Sequence, residues 1–308
     1  MTRSRWFVVV VALLVTAGVA LGVALGAAVD GPDATPDATP GAPPGAGPGG
    51  STYRHYVAMG DSFTAGPFIA TTDLANGCLR SDHNYPSLVA ARLGVDDFTD
   101  VSCSGARTED LGSPQVTYRS ATVPAQMEAL RPDTDLVTLG IGGNDFGLFT
   151  RLAEGCLRSR ALDPLGAPCT RQLAGTNLDA QIQRIGRQVR TAVTAIRDRA
   201  PRARIVLVGY LRLAPTDGTT CPERLPLAAG DYPLADAITR SLGATLRRAA
   251  AEADADFVDS YALSRGHDIC AARPWVNGQV TDRGAALAFH PLVAGMRAVA
   301  RRIVARLT

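Results

Sequence analysis

A serine where an apolar run stops, a histidine near the far end of the chain, and glycine- and asparagine-bearing blocks between them are the residues here that could do chemistry. The serine lies in YVAMGDSFTAG, residues 56–66, where strand formers give way to Gly60-Asp61-Ser62. Cys103-Ser104-Gly105-Ala106 and Gly142-Gly143-Asn144-Asp145 follow other apolar stretches, and His290-Pro291 comes just before the last helical stretch. A hydroxyl is a weak nucleophile until a base takes its proton, which Ser62 and His290 could achieve together. Attack on an acyl carbon builds an oxyanion that needs donors fixed in advance, each contributing about 10²–10³ in rate. The backbone N–H groups of Ser62 and Gly105 and the side-chain amide of Asn144 could supply them, and a glycine at 105 lets the backbone approach a substrate closely. The plainer alternatives are an Asp-Ser helix cap, an asparagine turn and a helix start at His290-Pro291. Asp61 and Asp145 suit loop bracing better than chemistry. GIGGND begins like a dinucleotide fingerprint, but Asp145 stands at the third glycine position, and a lone Gly-x-Gly is weak.

These blocks can cooperate only if the chain gathers them. Apolar runs at 53–59, 97–103, 134–143, 203–210 and 255–261 predict strands, the third continuously apolar as if covered on both faces. Helical spacing predicts helices over 85–94, 178–199 and 234–255, and a last one that starts after Pro291 and runs to Leu307. Strands alternating with helices predict right-handed crossovers and a parallel sheet between two helical layers, a three-layer α/β/α sandwich over 53–308. Each chemical block then falls at the carboxyl edge of that sheet, where ligands bind in such folds. Two connections, 156–177 and 215–232, are too long to be simple connectors and are candidate walls of a substrate cleft.

Arg3 and Arg5 precede an uncharged apolar run over 6–29, which predicts an export signal. At about 24 residues the run is also long enough to be a retained membrane anchor. The stretch 30–52, rich in Pro, Gly, Ala, Thr and Asp, predicts a disordered tether. The remainder is expected outside the cytoplasm, secreted or held at the envelope. Its six cysteines, without CxxC or zinc-type spacing, favour disulfides; pairing neighbours in chain order is simplest, though spacing leaves other pairings open. A net charge of +2, with no basic block after Arg5, excludes nucleic acid as an expected partner. A metal-dependent phosphoesterase would need several His and carboxylate ligands, and the four histidines show no HxH or HExxH pairing. A catalytically silent envelope-binding module is the remaining alternative. His55, His83 and His267 are expected to be structural or exposed. Arg107 is a candidate contact for an anionic substrate, and Arg80 and Asn84 for the cleft mouth.

The blocks GDSFTAG, CSGARTEDL, GIGGNDFG and FHPLVAGMRAVA, in this order and spacing, resemble the motifs of the GDSL or SGNH hydrolases, and in particular their secreted actinobacterial esterase/lipase branch. The resemblance implies Ser62 as nucleophile, His290 as base, and Ser62, Gly105 and Asn144 as the oxyanion hole. It implies a five-stranded parallel sheet of flavodoxin-like order, disulfides Cys78–Cys103, Cys156–Cys169 and Cys221–Cys270, and neither metal nor organic cofactor. Much of the family carries an Asp where this chain has Leu287. The Leu287 backbone carbonyl is expected to orient His290 instead, with Asp282 and Asp259 as substitutes. The expected activity is hydrolysis of lipid or other acyl esters by a monomer, with phospholipase or acyltransferase action as alternatives at the same site.

Overall fold

The structure, a computed structural model, describes residues 52–308. The export or anchor segment and the tether up to residue 51 lie outside the described residues.

Five strands, β1 (His55–Gly60), β2 (Asp97–Asp100), β3 (Leu136–Gly140), β4 (Arg204–Val208) and β5 (Asp256–Val258), form one sheet in the order β2-β1-β3-β4-β5. Every pairing is parallel. β3, LVTLG, is buried at each residue, as its unbroken apolar character requires of a strand covered on both faces. The order reverses direction between β1 and β3. The crevice beyond their carboxyl ends is therefore the topological switch point at which such sheets bind ligands.

A one-turn helix α1 (Ser62–Ala65) follows β1 directly, and α2 (Tyr85–Leu93), α3 (Leu178–Arg199), α4 (Tyr232–Glu252) and α5 (Val293–Leu307) are the covering helices. α2 packs with α5 and α3 packs with α4, giving the two helical layers. α3 buries Ile182, Ile185, Val189, Val193 and Ile196, spaced for one stripe, and turns its arginines outward. α4 starts at Tyr232, because Pro233 fits the first turn of a helix, and ends at Glu252. A two-residue hairpin pairing Gln115–Val116 with Thr122–Val123 and a π-helical turn over Arg151–Cys156 are additions that periodicity does not announce.

The structure joins Cys78 to Cys103, Cys156 to Cys169 and Cys221 to Cys270. Among the described residues no helix is long and apolar enough to cross a membrane.

Candidate active site

The end of β1 is shaped for a sharp exit. Gly60 has φ +148°, and a Cβ there would fall 2.3 Å from Thr64 Oγ1 and 2.4 Å from the Gly140 carbonyl oxygen, so no side chain fits. Gln126 holds both backbone groups of Gly60, accepting from its N–H at 2.7 Å and donating to its carbonyl at 2.9 Å. The chain then turns straight into α1, whose cap is Asp61: Oδ1 accepts the Phe63 N–H at 2.9 Å. Asp61 is thus the cap, and the neighbouring Ser62 is left free to present its hydroxyl.

His290 arrives from the opposite end of the sequence, on the loop before α5. Its Nε2 lies 2.8 Å from Ser62 Oγ across a sequence separation of 228 residues. Its Nδ1 lies 2.7 Å from the Ala288 carbonyl. A carbonyl only accepts, so Nδ1 carries the proton and Nε2 turns its lone pair to the serine. The orienting carbonyl is therefore that of Ala288, and the expectation of Leu287 is corrected. The reason is local: Phe289 has φ +61°, which bends the loop so that Ala288 faces the ring. The Leu287 carbonyl instead accepts the backbone N–H of His290 at 3.1 Å. Asp282 and Asp259 do not substitute, since Asp282 closes a tight turn to Gly284 and Asp259 caps a short helix and pairs with Arg247. Asn277 holds the loop, its amide donating to the carbonyls of Val280, Ala286 and Leu287 while its N–H donates to the His290 carbonyl. Burial lowers the His290 pKa to about 4, partly offset by the Ala288 hydrogen bond, so the ring is a neutral base at ordinary pH.

The second and third blocks are held beside the first: the Cys103 N–H donates to the Gly60 carbonyl at 3.0 Å, and Asn144 lines one cavity with Ser62 and His290. Asn144 donates one amide hydrogen to the Ala106 carbonyl at 2.9 Å, which fixes the amide and leaves the other hydrogen free. Asp145 accepts from the Thr108 N–H at 2.8 Å and from its hydroxyl at 2.5 Å, so three hydrogen bonds tie the two blocks together. Burial raises the Asp145 pKa, against those two hydrogen bonds. Among the described residues neither the Ser62 nor the Gly105 N–H has a hydrogen-bond partner. The free N–H of Ser62 and the free amide hydrogen of Asn144, on residues that line one cavity with His290, are donors of the kind an oxyanion needs.

Tyr210, just past β4, joins the first block to the third. Its hydroxyl accepts the Gly143 N–H at 2.7 Å and donates to Asp61 Oδ2. Its ring packs on Phe63 and Phe149, with centroids 5.1 and 4.9 Å away, and Phe63 in turn lies 5.3 Å from the His290 ring. Burial raises the Asp61 pKa to about 7, against the hydrogen bonds from Tyr210 and Phe63. Burial also lifts the Tyr210 hydroxyl well above its ordinary pKa, with the adjacent Asp61 reinforcing the effect. Sequence reasoning missed Tyr210, Gln126 and Asn277, none of which lies in a chemical block.

A cavity of about 180 Å³ opens beside Ser62, Asn144 and His290. Phe149, Leu157, Leu213, Leu225, Leu227 and Ile269 give it an apolar lining. Both long connections contribute, the first through Leu157 and the second through Leu225 and Leu227. Arg107, Arg80 and Asn84 do not line it. Arg107 is exposed and pairs with Glu109, Arg80 donates to the Ser102 carbonyl, and Asn84 is buried as the cap of α2. His55 pairs with Asp97, His83 with Asp82, and His267 stacks on Trp275, all apart from the cavity. Among the described residues no three His, Cys, Asp or Glu side chains gather as metal ligands would.

An α/β/α sheet with a serine, a histidine and free donors at its switch point defines a carboxylic-ester hydrolase, and the comparisons with known proteins agree. Residues 58–298 match the GDSL-like Lipase/Acylhydrolase family, and the chain belongs to that family. It is 41% identical over 221 residues to lipase 2 of Streptomyces coelicolor, covering 70% of this chain and 73% of that protein. It is 34% identical over 249 residues to an esterase of Streptomyces scabiei, with 70% of this chain and 72% of that one covered. Phospholipase A1 from Streptomyces albidoflavus superposes with a TM-score of 0.68 at 27% identity, covering 83% of this chain and 99% of that one. The extracellular lipase from Streptomyces rimosus superposes with a TM-score of 0.66 at 28% identity, covering 82% and 99%.

Proposed function

We propose that this chain is an extracytoplasmic serine esterase that cleaves acyl esters of lipids through an acyl-enzyme on Ser62. His290 Nε2 takes the Ser62 hydroxyl proton as Oγ attacks the ester carbonyl carbon. The N–H groups of Ser62 and Gly105 and the free Asn144 amide hydrogen receive the oxyanion. The imidazolium, its Nδ1–H held by the Ala288 carbonyl, gives the proton to the departing alkoxide as the C–O bond breaks. Water then attacks the acyl-serine, passes a proton to His290, and the acid leaves as Ser62 recovers its hydrogen. The acyl chain occupies the apolar cavity.

The observation that carries this reading is the 2.8 Å approach of His290 Nε2 to Ser62 Oγ at the mouth of that cavity. Action outside the cytoplasm is supported by the apolar run after Arg3 and Arg5 and by the three disulfides. In this reading residues 1–29 direct export or anchor the chain, 30–52 form a tether, and 53–308 are the catalytic domain. Phospholipase action is the narrower reading favoured by the likeness to a phospholipase A1. The test is Ser62→Ala: hydrolysis of p-nitrophenyl butyrate should fall by about 10⁴-fold or more with the melting temperature unchanged, and an unchanged rate would refute the assignment.

A further inference from the structure

The two most exposed large apolar side chains among the described residues are Leu162 and Leu165, at 84% and 86%. They stand at the tip of the segment closed by the Cys156–Cys169 disulfide. Leu152 and Ala153, just before that segment, and Leu157 within it wall the cavity beside Ser62. The tip is held firmly. The Pro164 carbonyl accepts the Ala229 N–H at 2.9 Å, the Gly166 carbonyl accepts the Gly230 N–H at 2.8 Å, and Asp163 accepts from Gly166 and from Arg171. The backbone therefore presents these leucines to solvent in a fixed shape. Leu74, Val116, Tyr118, Phe146 and Val280, the other exposed large apolar residues, also lie on connections leaving the carboxyl edge of the sheet. None lies on the outer faces of α2 to α5.

We infer that this tip is an interfacial wedge: Leu162 and Leu165 insert into a lipid–water interface carrying anionic headgroups, and so set the cavity mouth against the ester layer. The inference rests on the ester-hydrolase reading and names how its substrate is met. Two side chains are too little surface for a stable protein–protein contact. They do suit shallow insertion at the boundary between headgroups and acyl chains. Charge agrees with this: Arg151, Arg158, Arg160 and Arg171 stand against Glu154 and Asp163 over 151–171, leaving two positive charges, and Arg160 has no ion-pair partner among the described residues. Neither leucine lines the cavity, so the wedge and the chemistry are separable.

The test uses the full chain carrying Ser62→Ala, which prevents turnover, with vesicles of equimolar phosphatidylcholine and phosphatidylglycerol. Hydrogen–deuterium exchange should slow over 158–167 when vesicles are added. The added pair Leu162→Ser and Leu165→Ser should abolish that local protection, whatever the N-terminal segment does. In chains with Ser62 intact, the same leucine pair should weaken the apparent affinity for vesicle-borne ester about a hundredfold while leaving the rate on soluble p-nitrophenyl butyrate unchanged. Absence of local protection, or protection that survives the leucine substitutions, would overturn the wedge. Protection that rises with protein concentration and needs no vesicles would assign the tip to a second copy of the chain and overturn it equally. If the intact chain hydrolyses no soluble ester, the ester-hydrolase reading fails, and the exchange result on the wedge still stands by itself.

Discussion

Replacing Tyr210 by phenylalanine removes one oxygen and keeps the ring that packs on Phe63 and Phe149. The lost oxygen accepts the Gly143 N–H and donates to Asp61, and Tyr210 is 2% exposed, so no water stands ready to replace it. An unsatisfied buried donor costs about 1–3 kcal/mol, and a hydrogen bond to a carboxylate contributes about 1.5–3 kcal/mol. The sum with partial relaxation is ~3 kcal/mol, which for a domain of this size lowers the melting temperature by roughly 6–12 °C. The catalytic effect is separate. Gly143 precedes Asn144, so freeing its N–H loosens one oxyanion donor while the cavity is untouched. A full donor is worth about 10²–10³ in kcat, and a loosened one about tenfold. Steady-state kinetics on p-nitrophenyl butyrate should show kcat down about tenfold at unchanged KM, together with the lower melting temperature. A fall in stability with kcat unchanged would refute the positioning role, and no change in either would refute the hydrogen-bond geometry itself.

The acid limb of kcat/KM should have its midpoint near pH 4, because desolvation of the half-buried His290 lowers its pKa to about 4; a limb near the ordinary imidazole range would mean the ring is not desolvated. His290 and Asp61 should also oppose each other in the pH dependence of stability. The lowered His290 pKa gives stability that is present above about 6.5 and lost as pH falls through about 4, whereas the raised Asp61 pKa gives stability present below 3.8 and lost as pH rises through about 7. Differential scanning fluorimetry should therefore show Asp61→Asn gaining melting temperature relative to the parent as pH rises from 4 to 7, and His290→Gln losing it; parallel curves would contradict both shifts. Removing the Cys221–Cys270 bridge, with a sequence separation of 49, should destabilise by about 4 kcal/mol, and removing Cys156–Cys169, with a separation of 13, by about 3 kcal/mol, as urea melts of the serine pairs would measure. The opposite ranking would mean that chain entropy does not govern these bridges.

Much of the site is legible in the sequence because Ser62 and Asn144 sit where strands stop and His290 sits just before the last helix. The period of the strands and helices, with right-handed crossovers, carries Gly60-Asp61-Ser62 and Gly143-Asn144 to one edge without any knowledge of contacts. The long connections are legible as walls because they exceed what a crossover needs. What escapes is decided by backbone angles or by residues lying outside the blocks. The choice between the Ala288 and Leu287 carbonyls rests on the positive φ of Phe289, a conformation its side chain does not advertise. Tyr210 looks in sequence like the last residue of an apolar strand, and only the adjacency of β3 and β4 brings its hydroxyl to Gly143. Gln126 opens a single 3₁₀ turn, Gln126–Ala129, that periodicity does not announce, and its grip on Gly60 spans 66 residues. Asn84, offered by its loop as a substrate contact, is taken inward by the cap of α2.

The central claim is that His290 makes Ser62 a nucleophile, and covalent labelling reads it directly. Intact-mass and peptide analysis after treatment with a p-nitrophenyl alkylphosphonate should find one adduct per chain, on Ser62, formed orders of magnitude faster than in His290→Gln. An adduct elsewhere, or equal labelling rates with and without the imidazole, would contradict it.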